Sequence, residues 1–215
     1  MSVGPRWLDR IAHDLRGPLS PLQTAAWLLK SDAEGLDPDR RRELVDIIER
    51  QSRRLARMVD ELGDWSRAQQ DRLLGVREPC TLPNLVDLAV GAIPGCRIEP
   101  QVAADCASLQ VECDQHRLLQ ALKSLLEYAI ARGGASLSMA CGDGTARIDI
   151  VVGGVPLDAE GLRALLEQPD PAPFDEGLGL RLPLARAIIE AHGGTLRAAP
   201  DASGQPCLSC TLPAS

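Results

Sequence analysis

The first 74 residues carry apolar side chains at spacings of three and four, and this periodicity constrains the fold more than any other feature of the chain. Such a spacing places the apolar residues on one face of an α-helix. The first series consists of Leu8, Ile11, Ala12, Leu15, Leu19, Leu22, Ala26 and Leu29. The second series consists of Leu44, Ile47, Ile48, Leu55, Met58, Val59, Leu62 and Trp65. The sequence therefore predicts two long amphipathic helices.

A short turn separates the two predicted helices. It runs from Ser31 to Pro38 and is rich in helix-breaking and N-capping residues. Two amphipathic helices joined in this way form an antiparallel hairpin. Because one hairpin cannot bury both apolar series well, we expect it to pair with a second copy in a four-helix bundle. The expected assembly is a homodimer.

Beyond Leu74 the pattern changes to alternating helices and strands. We predict helices at 82–93, 115–131 and 180–192, and strands at 96–102, 109–113, 135–141, 146–152, 195–199 and 207–212. Asp114 is a candidate N-cap, residues 142–144 are a hairpin turn, and Arg77 to Pro83 is a linker. The predicted fold class is α+β. A dimerising helical hairpin (1–76) precedes an α/β sandwich (77–215).

Composition excludes several classes of function. Only 2% of the residues are aromatic, so the core must be aliphatic and platforms that stack nucleic-acid bases are excluded. A net charge of −7 argues against nucleic acid or anionic membranes as partners. No apolar run approaches the roughly 18 residues of a membrane span, and the first residues do not resemble a signal peptide. We therefore expect a cytoplasmic protein.

The seven cysteines do not suggest a disulfide framework or a metal site. A chain of this size builds a core without covalent crosslinks. Cys207 and Cys210 lie in a predicted strand, where residues three apart point to opposite faces. Cys113 and His116 would complete a zinc site with them only if the two segments met. We expect no metal and interpret the cysteines as small core residues.

His13 lies about 150° from the apolar series of its helix and therefore faces solvent. Asp14 follows it directly. Pro18 has no amide hydrogen to give the carbonyl of Asp14, and with Pro21 it is expected to interrupt or kink the helix. For an isolated histidine the simplest interpretation is an exposed polar residue. An exposed imidazole beside a carboxylate is also what a phosphoryl acceptor requires.

Three sequence runs resemble conserved motifs of the sensor histidine kinases. Residues 10–19, which contain His13, resemble the phosphoacceptor H-box, and residues 58–67 resemble the end of the second dimerisation helix. Residues 177–194 are similar to the second glycine box, the helix after it and its Gly-Gly exit. The resemblance implies a phosphoacceptor hairpin followed by an ATPase-like domain. It also implies that His13 is the phosphoacceptor and that Asp14 is its acid/base partner.

The nucleotide motifs of that family are altered in this chain. Tyr128 stands at the position where the family has the asparagine that holds Mg²⁺, and a phenol is a poor ligand for this ion. The neighbouring Glu127 points about 100° away on a helix. Val152 replaces the aspartate that accepts the adenine amino group, which leaves that group unpaired at a cost of about 1–3 kcal/mol. Pro156 replaces a glycine of the same box.

The segment that corresponds to the phosphate lid is short. It covers residues 168–176 and contains acidic residues that would repel phosphates: Asp170, Asp175 and Glu176. Gly154, Gly177 and Gly179 remain as a remnant nucleotide site whose backbone amides could cradle a phosphate, although Gly177 and Gly179 equally suit a tight strand-to-helix turn. Gly17 replaces the Thr or Asn that positions water for dephosphorylating the response regulator in the family.

Together these features predict a phosphorelay protein similar to the stand-alone histidine phosphotransferases. His13 would exchange a phosphoryl group with an aspartate on a response-regulator receiver domain, without ATP and without a cofactor of its own. The first alternative is an ATP-dependent histidine kinase core that uses ATP and Mg²⁺. The second alternative is a pseudokinase that docks on partners and performs no chemistry.

Overall fold

The fold is a helical hairpin followed by an α/β sheet domain, as the sequence predicts. A computed structural model describes residues 5–31, 35–154, 159–170, 173, 176–201 and 203–214. The helices are α1 (Pro5–Ser31), α2 (Pro38–Gln69), α3 (Leu82–Gly91), α4 (Gln115–Ala131), α5 (Ala159–Glu167) and α6 (Arg181–Ala191), with a 3₁₀ turn at Ala104–Cys106. The strands are β1 (Glu78–Thr81), β2 (Gln101–Val102), β3 (Gln110–Cys113), β4 (Ala135–Gly142), β5 (Thr145–Val152), β6 (Thr195–Pro200) and β7 (Pro206–Pro213).

The chain divides into two compact units. The first comprises residues 1–63 and 175–178, and the second comprises residues 64–174 and 179–215. Among the described residues, none of the helices is both long enough and apolar enough to cross a membrane.

Helices α1 and α2 form the predicted amphipathic pair, but the buried face of α1 is narrower than the sequence suggests. Ile11, Pro18 and Ala25 are buried at intervals of seven residues. The predicted series also contained other residues that are in fact exposed: Ala12, Leu19 and Ala26. Side chains seven apart return to nearly the same direction on a helix, so a strict heptad spacing selects a narrow buried stripe.

The prediction that the prolines interrupt α1 is wrong. Pro18 and Pro21 both lie inside a continuous 27-residue helix. Each proline removes one amide donor, whereas the hydrogen bonds of the other turns remain available to hold the helix together. Pro18 is also buried, so its ring contributes to packing where its amide cannot donate.

The second unit is built on a five-stranded sheet with the order β2-β4-β5-β7-β6. Strand β2 runs parallel to β4, and the other neighbours are antiparallel. Alternate residues of β5, among them Ile148 and Ile150, share one hydrophobic cluster with residues of α4 and α6. Residues 142–144 form the predicted hairpin turn, in which Asp143 (φ 50°) and Gly144 (φ 69°) have left-handed conformations.

Two sequence predictions for the start of the second unit are wrong. Residues 77–83 are not a simple linker, because they contain β1, which pairs antiparallel with β3. The strand predicted at 96–102 is reduced to Gln101–Val102. Both segments are short and interrupted by proline, so their structure depends on partners distant in sequence rather than on local pattern.

The expectation of no disulfide is also wrong. Cys80 of β1 and Cys113 of β3 are joined by a disulfide bond, with their Cα atoms 6.5 Å apart. The pairing of the two strands brings these cysteines together, and nothing in their spacing of 33 residues indicates it. Cys207 and Cys210 are free and buried, as expected of small core residues.

Candidate functional site

His13 occupies an open position on α1. Its side chain is 86% exposed, and its Nδ1 atom lies 3.3 Å from Oδ1 of Asp14. The other carboxylate oxygen of Asp14 lies 3.7 Å from Nε of Arg10. When Nδ1 carries the proton and donates to Asp14, Nε2 keeps its lone pair and faces an approaching electrophile. The prediction that His13 faces solvent is confirmed.

The helical turn after His13 lacks two backbone hydrogen bonds. Pro18 cannot donate to the carbonyl of Asp14, and Pro21 cannot donate to the carbonyl of Gly17. A Cβ atom added at Gly17 would find nothing within 4 Å. This glycine is therefore not required by packing, and no side chain of the described residues covers the helix surface at this position, one turn beyond His13.

Tyr128 on α4 is part of the hydrophobic core of the second unit, with 1% of its surface exposed. The guanidinium carbon of Arg132 lies 5.2 Å from the centroid of its ring, a cation–π distance. Burial raises the pKa of Tyr128, and the charge of Arg132 offsets this only in part. The phenol therefore stays neutral at pH 7, and a neutral phenol does not fit the role of a Mg²⁺ ligand.

The carboxylate of Glu127, the residue before Tyr128, is paired with two cationic side chains. Glu127 forms a close ion pair with Arg181 at the start of α6, and its other oxygen lies 3.7 Å from Nζ of Lys123. Sequence reasoning identified Glu127 but missed Arg181, because the pairing depends on how α4 packs against α6.

Gly154 and Gly179 are required by close backbone approaches. Gly154 has φ +94°, and a Cβ there would lie 2.0 Å from the carbonyl oxygen of Arg132. Gly179 has φ +74°, and its carbonyl accepts a hydrogen bond from Asp170 N at 2.9 Å. A side chain at either position would collide with backbone. The close approach at Gly179 supports its interpretation as part of a tight turn, and Gly154 is required by its own contact with the carbonyl of Arg132.

Arg132 connects these parts of the remnant nucleotide site. Its guanidinium covers Tyr128, and its Nη2 atom lies 3.9 Å from Oδ2 of Asp170, a residue that the sequence analysis expected to repel phosphates. Val152, at the end of β5, is 3% exposed and offers no polar atom from its side chain. The predictions for Pro156 and Asp175 fall on residues outside those described. Tyr128 and Val152 thus do not fit the magnesium and adenine contacts of an ATP site.

The third predicted glycine, Gly177, lies in the segment that belongs to the first unit. The next residue, Leu178, donates its backbone amide to Oε2 of Glu61 at 3.0 Å. Glu176 forms an ion pair of 3.1 Å with Arg54. An amide that could cradle a phosphate is therefore bonded to a carboxylate instead.

Comparison with known proteins agrees with this architecture. Residues 6–71 match the family model of the His Kinase A (phospho-acceptor) domain. The sensor histidine kinase ZraS of Klebsiella oxytoca is 29% identical over 195 residues, which cover 87% of this chain and 41% of ZraS. The chain belongs to the histidine kinase family. The nitrogen regulation protein NtrY of Azorhizobium caulinodans is 30% identical over 231 residues, covering 92% of this chain and 28% of NtrY.

This member of the family spans less than half the length of those curated relatives. Solved histidine kinases share its fold. AdeS of Acinetobacter baumannii has a TM-score of 0.68 at 21% identity, covering 94% of this chain and 97% of AdeS. ThkA in complex with the response regulator TrrA has a TM-score of 0.71 at 22% identity, covering 97% of this chain and 61% of that one. Family membership places the chain in two-component signal transduction.

Proposed function

We propose that His13 accepts a phosphoryl group and passes it to an aspartate on the receiver domain of a response regulator. The observation that carries this proposal is an exposed imidazole paired with Asp14, within a hairpin that matches the phosphoacceptor domain. The structure of ThkA with its response regulator supports a receiver as the partner.

The arrangement of His13 and Asp14 suits both halves of the exchange. The Nε2 lone pair forms the nitrogen–phosphorus bond while the phosphorus–oxygen bond to the donor breaks, and the departing oxygen keeps the bonding electrons. The proton on Nδ1 stays between the ring and Asp14, whose charge stabilises the imidazolium. In the onward step a receiver carboxylate attacks phosphorus, and the electrons of the nitrogen–phosphorus bond return to Nε2.

The comparisons support ATP as the phosphoryl donor, because the relatives ZraS and GlrK, the latter from Escherichia coli, are named sensor histidine kinases. They favour the kinase alternative over the ATP-free phosphotransferase that the sequence analysis placed first. The phosphotransferase is kept as a second candidate on one specific observation. A buried Tyr128 and an apolar Val152 occupy the two positions where the family binds magnesium and adenine.

Radiolabelled ATP with Mg²⁺ tests the proposal and its donor in the full chain. A kinase becomes labelled at a phosphohistidine that is stable in alkali and lost in acid. The His13→Ala variant should lose the label completely, since His13 is the only histidine in the sequence of residues 1–76. The matched control is His116→Ala, which removes an exposed histidine of α4 and should label like the unchanged protein. Label that persists in His13→Ala would contradict the assignment of this residue.

A phosphorylated receiver domain provides the second arm of the experiment. Transfer of label from the receiver to His13 without labelling by ATP would establish the phosphotransferase candidate. Labelling by ATP followed by transfer to the receiver would establish the kinase. If His13 gains no label from either donor, the proposed function is overturned and only a docking role without chemistry is left.

We also propose that the hairpin forms a homodimer. Large apolar side chains exposed on the described part of α1 and α2 include Leu19, Trp27, Val45 and Val59. Exposed apolar side chains of this size on an amphipathic hairpin indicate a surface that a second copy covers.

A further inference from the structure

Three side chains of the second unit form a cluster that phosphotransfer does not use. The ligand atoms of Asp105, Cys106 and Cys141 all lie within 4.8 Å of one another. Asp105 and Cys106 lie in the 3₁₀ turn after β2, and Cys141 lies near the end of β4. We propose that this cluster is a Zn²⁺ site with two thiolate ligands and one carboxylate ligand.

The backbone holds the cluster together. Strand β2 pairs with β4, and the amide of Ala103 donates to the carbonyl of Met139 at 3.0 Å. This bond sets the turn that carries Asp105 and Cys106 beside the strand that carries Cys141. The three ligands therefore come from two elements whose relative positions are fixed by main-chain hydrogen bonds.

The spacing of the ligand atoms suits tetrahedral zinc. Zinc binds sulfur at about 2.3 Å and carboxylate oxygen at about 2.0 Å, so a sulfur and an oxygen ligand lie about 3.5 Å apart. The distance from Sγ of Cys106 to Oδ1 of Asp105 is 3.6 Å. Binding therefore requires little rearrangement of these two side chains.

The types of ligand atom and the exposure of the cluster favour Zn²⁺ over other divalent cations. Soft thiolate ligands favour zinc over magnesium and calcium, which require oxygen ligands. Cys106 is fully buried, Cys141 is half-buried and Asp105 is exposed, so the cluster opens to solvent on one side. A water molecule completes four-coordination there. Oδ1 of Asp105 accepts a hydrogen bond from the Cys106 thiol, and loss of the thiol proton frees both atoms to bind the ion.

A bound zinc ion would stabilise the edge of the sheet. Strand β2 contributes only two residues to the ladder, so few hydrogen bonds hold it in place. Coordination would connect the turn after β2 directly to β4. Cys80 and Cys113 belong to the separate two-stranded sheet of β1 and β3, are joined as a disulfide and lie outside the cluster.

Titration of the metal-free full chain with Co²⁺, with its Cys80–Cys113 disulfide intact, tests the site, because cobalt replaces zinc and reports thiolate ligands by a near-ultraviolet charge-transfer band. We expect one Co²⁺ per chain, displaced by Zn²⁺. The Cys141→Ser variant should bind about 100-fold more weakly or worse, since loss of a direct ligand exceeds the loss of a supporting group. Asp105→Asn changes an exposed residue and keeps a neutral oxygen in place of the carboxylate oxygen, so it should weaken binding less than Cys141→Ser does, by about 10-fold.

The matched control is Cys96→Ser, which removes a half-buried free cysteine outside the cluster and should bind like the unchanged protein. Absence of the charge-transfer band in the unchanged protein would overturn the proposal. A band of full intensity in Cys141→Ser would do the same, because the thiolates would then belong to another site. Equal weakening by Cys96→Ser and Cys141→Ser would show unspecific binding and also reject it.

Discussion

At the scale of single residues, His192 shows how a buried histidine can be fixed in one protonation state. The ring is 3% exposed at the end of α6. Its Nε2 atom accepts a hydrogen bond from the backbone amide of Asp114 at 3.0 Å, and its Nδ1 atom lies 2.7 Å from the carbonyl oxygen of Ile188. An amide donor requires a lone pair on Nε2, so the ring is neutral with its proton on Nδ1.

The environment of His192 lowers its pKa. Burial makes the largest contribution, and the nearby charge of Arg77 acts in the same direction. The hydrogen bond to Ile188 and the charge of Asp114 raise the pKa but do not cancel the effect. Protonation of Nε2 in the folded state would also break the hydrogen bond that this atom accepts from the Asp114 amide.

This shift predicts a stability that depends on pH. The unfolded chain takes up a proton on His192 below pH about 6.5, whereas the folded chain does so only at lower pH. The free energy of unfolding should therefore decrease as pH falls from 6.5 toward the folded-state pKa, by at most about 1.4 kcal/mol per pH unit. Urea unfolding between pH 8 and pH 5 measures this change in the free energy of unfolding. His192→Gln keeps an acceptor and a donor but does not titrate, so its stability should vary less over this range.

The control for this prediction is His116→Gln, which changes an exposed histidine at the start of α4. It should retain the pH dependence of the unchanged protein. If His192→Gln shows the same slope as the unchanged protein, protonation of His192 does not limit stability and the prediction is wrong.

At the scale of secondary-structure elements, α1 combines a long helix with a local defect next to its functional residue. Pro21 is exposed, so its ring contributes little packing, yet it leaves the carbonyl of Gly17 without a helical donor. Proline in a helix interior costs about 3 kcal/mol relative to alanine. Proline also restricts the conformations of the unfolded chain, and this offsets about 1 kcal/mol of the destabilisation.

Pro21→Ala should therefore stabilise the chain by about 2 kcal/mol, because the alanine supplies the missing amide donor. Chemical denaturation at a fixed protein concentration measures this, since dimer formation couples stability to concentration. The control Gln23→Ala changes another exposed residue of α1 and should alter stability by no more than about 0.5 kcal/mol. A gain in Pro21→Ala no greater than that of Gln23→Ala would show that the helix tolerates the proline without cost.

The sequence predicts most accurately those elements that are determined by residues close together in the chain. Helix α4 begins and ends at the predicted residues, because Asp114 caps it by accepting a hydrogen bond from the Arg117 amide at 3.1 Å. Strand β1 was predicted as a linker and β2 was predicted five residues too long, since pairing with β3 and β4 defines these strands. In the candidate site, Tyr128 could be identified from its place in a motif.

The partners of the motif residues could not be predicted. Arg132 contacts Tyr128 from one turn along the same helix, but its second contact, Asp170, comes from a distant loop. The bond between Glu61 and the amide of Leu178 spans 117 residues. Such contacts depend on tertiary packing, for which a single sequence contains no periodic signal.

At the scale of the whole molecule, four of the six exposed large apolar side chains among the described residues lie on α1 and α2. Trp27 and Val59 expose 63% and 59% of their surfaces, on α1 and α2 respectively. Both helices are otherwise rich in charged residues, so these side chains are the places where burial by a second copy would release most water. The homodimer proposed above should therefore depend on them.

Val59→Arg tests this dependence. Burying a valine side chain contributes about 1.5–3 kcal/mol, and an arginine in its place would bring an unpaired charge into the interface. The dimer dissociation constant should rise by at least about 100-fold, measured by sedimentation equilibrium over a range of concentrations. The matched control, Leu88→Arg, places the same charge on an apolar residue of α3 that is 51% exposed and lies outside the hairpin, and it should leave the dimer intact. Monomers at every concentration of the unchanged protein, or equal weakening by both variants, would refute the hairpin interface.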